Sequence, residues 1–154
     1  YWNANARGTF FGISLHHKRE HFIRAVMEGV CMSVFSVALA IRDVTGPLSE
    51  IRVSGGFAKS SFWRQMLADM MGKELLVPET HEASALGAAA LALYALGDIP
   101  SLDAVKTWIH IIARHEPNTE NTLIYSELFD MYTRLYERLK EEFDVMAAFQ
   151  SRNG

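Results

Sequence analysis

Two adjacent glycines after a β-branched run are the residues of this chain best suited to approach a ligand closely. Ile51-Arg52-Val53 predicts a buried strand, and Ser54, Gly55 and Gly56 form the turn from it into the next helix. Gly55 and Gly56 have no Cβ, so a phosphate or ribose can approach their backbone, and the N–H groups that open a helix attract anions. The turn therefore predicts a nucleotide site at the carboxyl end of a strand, where parallel α/β sheets bind ligands.

The glycine turn also has a purely structural explanation. Tight turns use glycine for its conformational freedom, so a Gly-Gly pair alone does not identify a ligand. The alanine-rich run of residues 83–90 is small on almost every side, which suits contact with a flat ring and, equally well, with another helix. Both explanations stay open for both segments.

His17, Glu20 and His21 form an H-x-x-E-H pattern, which places two imidazoles one helical turn apart. A zinc site needs a third protein ligand, and none is identifiable, so no metal-ligating residue is predicted. Glu28 lies on an apolar helix and is either a functional acid or a buried acid paired with a backbone N–H or with Arg7. Three other histidines show no ligand spacing and are interpreted as ordinary polar residues: His81, His110 and His115.

Apolar periodicity and turn residues predict the elements that position these groups. Strands alternate with helices, which predicts an α/β, helix-rich architecture with a parallel sheet. The predicted elements are a helix over about 17–45, the strand at 51–53, a helix from Ser60 or Ser61 to Gly72, a strand at 75–77, a helix over about 82–96, a helix from Ser101 that includes Ile112, and a long helix after Pro117.

In the first helix, apolar residues recur at helical spacing, as Phe22, Val26, Val30, Val34, Val37 and Ile41. The last helix could form a homodimer seam, but an amphipathic helix in a small domain usually docks against its own core, so internal docking is favoured.

Composition limits the function further. The chain has 154 residues, is 49% hydrophobic and carries a formal net charge of -3, which indicates one globular domain and no nucleic-acid or membrane partner. The single cysteine, Cys31, excludes an internal disulfide and favours the cytoplasm, and no apolar run long enough to span a bilayer is identified. The chain opens on Tyr1 and Trp2, an aromatic pair expected to be buried, rather than on Met, which indicates a fragment of a longer protein.

Four segments together resemble the FGGY carbohydrate kinases. Residues 54–69, which read SGGFAKSSFWRQMLAD, resemble the family's adenosine-binding signature. Residues 2–12 resemble its W-x-x-x-A-R-G stretch, residues 24–30 its R-A-x-x-E-G helix, and residues 82–89 its adenine-side helix. The segments stand in the family's order and at its spacing, and they cover nearly the whole chain.

The resemblance implies a C-terminal domain of the actin-like ATPase superfamily, with an RNase H-like sheet, spanning residues 1–154. It implies ATP and Mg²⁺ as cofactors and assigns Gly55, Gly56 and Ser60 to the nucleotide. Among subfamilies the sequence is most similar to the gluconate kinases, which would make a sugar acid the acceptor, with xylulose and glycerol kinases as alternatives.

The family's catalytic aspartate, sugar pocket and phosphate hairpins lie upstream of the residue that corresponds to Tyr1. No catalytic residue is therefore assigned, and the sugar is expected to bind mainly to another domain. Two further alternatives remain from the residues themselves: a non-catalytic actin-like nucleotide-binding module, and a structural domain without a ligand.

Overall fold

The computed structural model describes residues 3–80 and 82–153, so Tyr1, Trp2, His81 and Gly154 lie outside the described residues. Most of this chain is helical. The helices are α1 (Arg19–Thr45), α2 (Gly55–Ala58), α3 (Ser61–Met71), α4 (Ala83–Leu96) and α5 (Thr119–Asn153), a 3₁₀ helix spans Leu102–Trp108, and the strands are β1 (Leu75–Pro78) and β2 (Ile111–His115).

Helix α3 is the centre of the fold. It packs against α1 on one side and α5 on the other, and it also contacts α2 and β2. Its residues Met66 to Met70 are all buried, and they join Cys31 of α1, Leu75 of β1 and Phe129 of α5 in one apolar core. The predicted boundaries of α3 are confirmed: Ser60 caps its start, and Gly72 ends it in the left-handed conformation.

The predicted parallel sheet is not confirmed. The two strands of the described chain, β1 and β2, pair antiparallel, with Leu75 opposite His115. Parallel geometry is limited to one bridge between Arg52 and Leu76, formed by hydrogen bonds from the Val53 N–H to the Leu76 carbonyl and from the Leu76 N–H to the Ile51 carbonyl, both 2.9 Å. The predicted strand at 51–53 is therefore an extended segment with a single bridge.

The helix predicted from Ser101 through Ile112 is wrong in its second half. The chain forms a 3₁₀ helix to Trp108 and then β2. Alternate residues of β2 are half-buried and exposed, which is the two-residue period of a strand covered on one face. Pairing with the buried strand β1 therefore decides the conformation here, whereas the spacing of Ile109 and Ile112 also fits a helix.

The structure shows which side of α1 meets the core. Met27, Cys31 and Phe35 lie against it, while most of the apolar residues that repeat from Phe22 to Ile41 are exposed, with Val26 54% and Val37 50% accessible. The helix is thus apolar on two sides. By length and composition it is long and apolar enough to span a membrane, whereas the sequence analysis identified no such run. Core helices of globular domains have the same composition, and α1 packs against α3.

A buried carboxylate joins α3 to the start of α5. Asp69 is 3% exposed, and its Oδ1 accepts hydrogen bonds from the Gln65 Nε2 and the Asn118 N–H, both 2.8 Å. Its Oδ2 accepts from the Asn121 Nδ2 at 2.8 Å. The Asn118 Oδ1 in turn accepts from the Asn121 N–H, so Asp69 fixes the residue that caps α5.

We expect Asp69→Ala to lower the free energy of unfolding by about 3 kcal/mol, because it leaves buried donors without their acceptor. Urea unfolding followed by circular dichroism measures this. Asp43→Ala is the matched control, since Asp43 is 67% exposed and pairs only with its neighbour Arg42, and it should change stability by less than about 0.5 kcal/mol. Equal effects of the two changes would contradict the structural role of Asp69.

Candidate functional site: the glycine turn

The turn begins where the extended segment at 51–53 leaves the sheet. Val53 is buried and held to β1 by its backbone, whereas Ser54, Gly55 and Gly56 are exposed. Gly55 has φ +65°, a conformation that L side chains rarely adopt, so the bend itself requires glycine at this position. The structural explanation of the glycine pair is therefore correct for Gly55.

Gly56 is different, because its φ does not lie in the positive range. A Cβ built on Gly56 would meet no heavy atom of the described residues within 4 Å. Neither backbone conformation nor packing within the described chain thus requires glycine here. The exposed Gly56 backbone is left open to a ligand.

The end of the turn is fixed by side chains of α3. Ala58 is 1% exposed, and its carbonyl accepts a hydrogen bond from the Arg64 Nη1. The rings of Phe57 and Trp63 meet edge to face with centroids 4.7 Å apart. Ser60 caps α3 by accepting from the Trp63 N–H at 3.5 Å, a long hydrogen bond, and is half-buried. The turn is therefore held at both ends.

Helix α4 begins at the same edge of the sheet as the turn. The Arg52–Leu76 bridge is parallel, so the chain leaves Val53 toward α2 and leaves Pro78 toward α4 at neighbouring carboxyl ends. The first turns of α4 carry Ala83, Ser84 and Ala85, which are all exposed. The glycine turn and the start of α4, the two segments that the sequence left open as ligand contacts, therefore lie at the same edge of the sheet. Ligand sites in α/β folds lie at such an edge.

Behind the turn lies a pair of side chains that the sequence interpretation missed. The Arg64 Nε donates to the His115 Nε2 at 2.9 Å, and the His115 Nδ1 lies 3.3 Å from the Gln65 Oε1. Burial, followed by the positive charge of Arg64, lowers the pKa of His115, so the neutral imidazole is favoured. His115 had been interpreted as an ordinary polar residue, because nothing in the sequence connects it with Arg64.

The profile of the C-terminal domain of the FGGY family of carbohydrate kinases matches residues 1–96, which include the turn, α3 and α4. The chain belongs to this family. Its fold is that of the FGGY kinases, the expected actin-like ATPase class: it superposes on the crystal structure of gluconate kinase from Lactobacillus acidophilus with a TM-score of 0.85 and 28% identity, over 94% of this chain and 30% of that one.

Curated relatives in the family include kinases of different sugars. The chain is 42% identical over 150 residues to gluconokinase of Bacillus licheniformis, covering 97% of this chain and 29% of that protein. It is 34% identical over 140 residues to a xylulose kinase of Staphylococcus epidermidis, covering 90% of this chain and 28% of that protein. The chain therefore spans less than a third of the length of these relatives.

A separate cleft of about 340 Å³ lies between residues 10–13 and the start of α1 of this FGGY domain, and His17 and His21 line it. The His17 Nδ1 accepts from the Ser14 N–H at 2.8 Å, and the His21 Nδ1 accepts from the Lys18 N–H at 2.9 Å. Each neutral ring must then carry its proton on Nε2, which leaves no free lone pair for a metal.

Glu28, the other acid considered, takes part in a cluster of hydrogen bonds that joins α1 to α5. Its Oε1 accepts from the Arg24 Nε at 2.8 Å and from the Tyr125 hydroxyl at 3.0 Å. The Arg24 Nη2 also donates to the Tyr125 hydroxyl, at 3.0 Å. Arg7 instead donates a hydrogen bond to Gln150, so the alternative pairing of Glu28 with Arg7 is wrong.

Burial raises the pKa of Cys31 to about 11, which leaves this thiol protonated and unreactive at neutral pH.

We expect no tightly bound zinc at His17 and His21, because both Nδ1 atoms are occupied and the described residues contain no group of three ligating side chains. Metal analysis after dialysis should find substoichiometric zinc. His110→Ala is the control, since the exposed His110 lies on another segment. One zinc per chain, lost in the His17→Ala/His21→Ala variant and kept in His110→Ala, would show that the motif binds metal.

Proposed function

We propose that the Gly55–Gly56 turn binds ATP and that residues 1–154 form the nucleotide-binding part of an ATP-dependent sugar kinase. Family membership supports the reaction class, and the geometry of the turn supports the site. The observation that carries the proposal is the open space at Gly56. Glycine there is unexplained by the described fold, and a ligand that approaches the backbone supplies the missing reason.

Each proposed contact has a physical role. Gly55 makes the bend and Gly56 leaves room for adenosine and its phosphates. Ser60 lies four residues after Gly56, at the start of α3, which its hydroxyl caps. ATP brings Mg²⁺ with it, and we assign no residue of this chain to the metal. When bound, MgATP supplies the phosphoryl group, and this part of the protein contributes by holding and orienting the nucleotide.

We propose gluconate as the acceptor. The support is sequence identity, which is 42% to a gluconokinase against 34% to a xylulose kinase. The alternatives are xylulose and glycerol, because kinases of the three sugars share this domain. The sugar pocket and the catalytic base belong to the upstream part of such kinases, and we place the complete enzyme in the cytoplasm.

The exposed face of α1 fits this assignment. A helix that is apolar on two sides is stable in water only when both sides are covered, and the described residues cover one. We propose that the remaining part of the kinase covers the stripe that includes Val26, Val30 and Val37. The alternative of a non-catalytic nucleotide-binding module predicts the same turn, and only the upstream residues separate the two.

We expect Gly56→Val to weaken ATP binding in the full-length protein at least tenfold, or about 1.4 kcal/mol, because the new side chain enters the volume of the ligand. Titration calorimetry with MgATP measures the affinity. The fold should tolerate the change, since nothing lies within 4 Å of the new Cβ. Unchanged ATP affinity in a well-folded Gly56→Val protein would contradict the assignment of ATP to the Gly55–Gly56 turn.

Gly55→Ala and Gly56→Ala provide a matched pair of controls for that experiment. Alanine at Gly55 must adopt a positive φ, so it should lower the melting temperature. Alanine at Gly56 meets no such strain, and it should leave the melting temperature unchanged while reducing ATP affinity less than valine does. A loss of stability at Gly56 without a loss of affinity would favour the purely structural explanation.

We expect the 154-residue chain alone to release no ADP in response to gluconate, because none of its residues is assigned as the base or aligns the γ-phosphate. A coupled ADP assay tests this, with a gluconate-free reaction as the control for background hydrolysis. Turnover that depends on gluconate and scales with protein concentration, with contaminating kinase excluded, would contradict the proposal that the catalytic base lies in the upstream part of the kinase.

A further inference from the structure

A continuous set of hydrogen bonds connects the glycine turn with the C-terminal end of β2. It starts at the Ala58 carbonyl, which Arg64 holds, and passes from Arg64 to His115 at the end of β2. Gln65 continues it, since its Nε2 donates to the Asp69 Oδ1 at 2.8 Å and to the Glu116 carbonyl at 2.7 Å. The turn is thus linked to β2 through side chains as well as through β1.

The direction of these bonds fixes the protonation of His115. An arginine Nε–H can only donate, so the His115 Nε2 must accept, and the proton lies on Nδ1, where it is donated to the Gln65 Oε1. In this tautomer the His115 Nε2 is the acceptor for the Arg64 Nε–H. This contact orients the guanidinium so that its Nη1 donates to the Ala58 carbonyl.

The two ends of the turn are therefore held by the same two-stranded sheet. The Val53 N–H is held by the Leu76 carbonyl of β1, and the Ala58 carbonyl is held through Arg64 by His115 of β2. Leu75 and His115 are partners in the register, so both attachments come from neighbouring positions of this short sheet, where β1 is buried and His115 is half-buried. A backbone pinned at both ends keeps the exposed glycines in one conformation, which lowers the entropy lost on binding.

We propose that Arg64 and His115 are positioning residues for the nucleotide: they hold the turn in its binding conformation and do not touch ATP themselves. This inference rests on the proposed ATP site. Arg64 acts through its two-armed geometry, and His115 acts as the acceptor that orients it. The charge of Arg64 alone does not perform this role.

The test is MgATP affinity by titration calorimetry in the full-length protein, with the melting temperature of each variant recorded. We expect His115→Ala and Arg64→Ala to weaken binding roughly threefold to tenfold, the range of one lost hydrogen bond. His115→Gln should restore affinity, because its Oε1 can replace the Nε2 acceptor. Arg64→Lys should bind as weakly as Arg64→Ala, since one ammonium nitrogen cannot take the positions of both Nε and Nη1.

Arg114→Ala is the matched control. Arg114 is the residue before His115 on β2, and it pairs with Glu74 at 2.9 Å instead of with the turn, so its loss should leave ATP affinity unchanged. Full affinity in His115→Ala, or in Arg64→Lys, would overturn the inference. So would a loss in His115→Ala that His115→Gln does not restore.

Gly56→Val, measured in parallel, separates the two proposals. If Gly56→Val loses affinity and the Arg64 and His115 variants do not, the positioning role fails while the ATP site stands. If Gly56→Val keeps the parent affinity, the ATP site itself fails.

Discussion

The burial of α3 is the constraint on which the rest of this domain depends. Its residues Met66 to Met70 are inaccessible because α1 and α5 pack against α3, which also contacts α2 and β2. The same helix carries Arg64, which holds the glycine turn, and Asp69, which fixes the start of α5. Packing of α3 therefore determines the conformation of a turn whose own residues 54–56 are exposed.

Much of the helical structure could be predicted from sequence, because its signals are local. Apolar periodicity predicted α1 and α5, the alanine-rich run predicted α4, and the serine cap and Gly72 predicted both ends of α3. The strand β2 was missed because its conformation depends on pairing with β1, which lies far away in the chain. The buried face of α1 could not be predicted, since a helix that is apolar on two sides offers no local sign of which side meets the core.

The candidate site divides in the same way. Gly55, Gly56 and Ser60 are close in sequence and form a recognisable family segment, so they could be named from the sequence alone. The contact between Arg64 and His115 joins residues 51 positions apart, and it requires β2, which sequence reasoning interpreted as helix. The structure also distinguishes the roles of the two glycines. The bend requires glycine at position 55, whereas nothing in the described chain requires glycine at position 56.

The central claim is that the exposed glycine turn of this FGGY domain holds the nucleotide. Backbone amide hydrogen exchange of the full-length protein, followed by mass spectrometry with and without MgATP, tests it most directly. The account predicts slower exchange over residues 54–60 when MgATP is present, with little change over residues 10–13 beside the separate cleft. Unchanged exchange over residues 54–60 at a nucleotide concentration that saturates binding would contradict it.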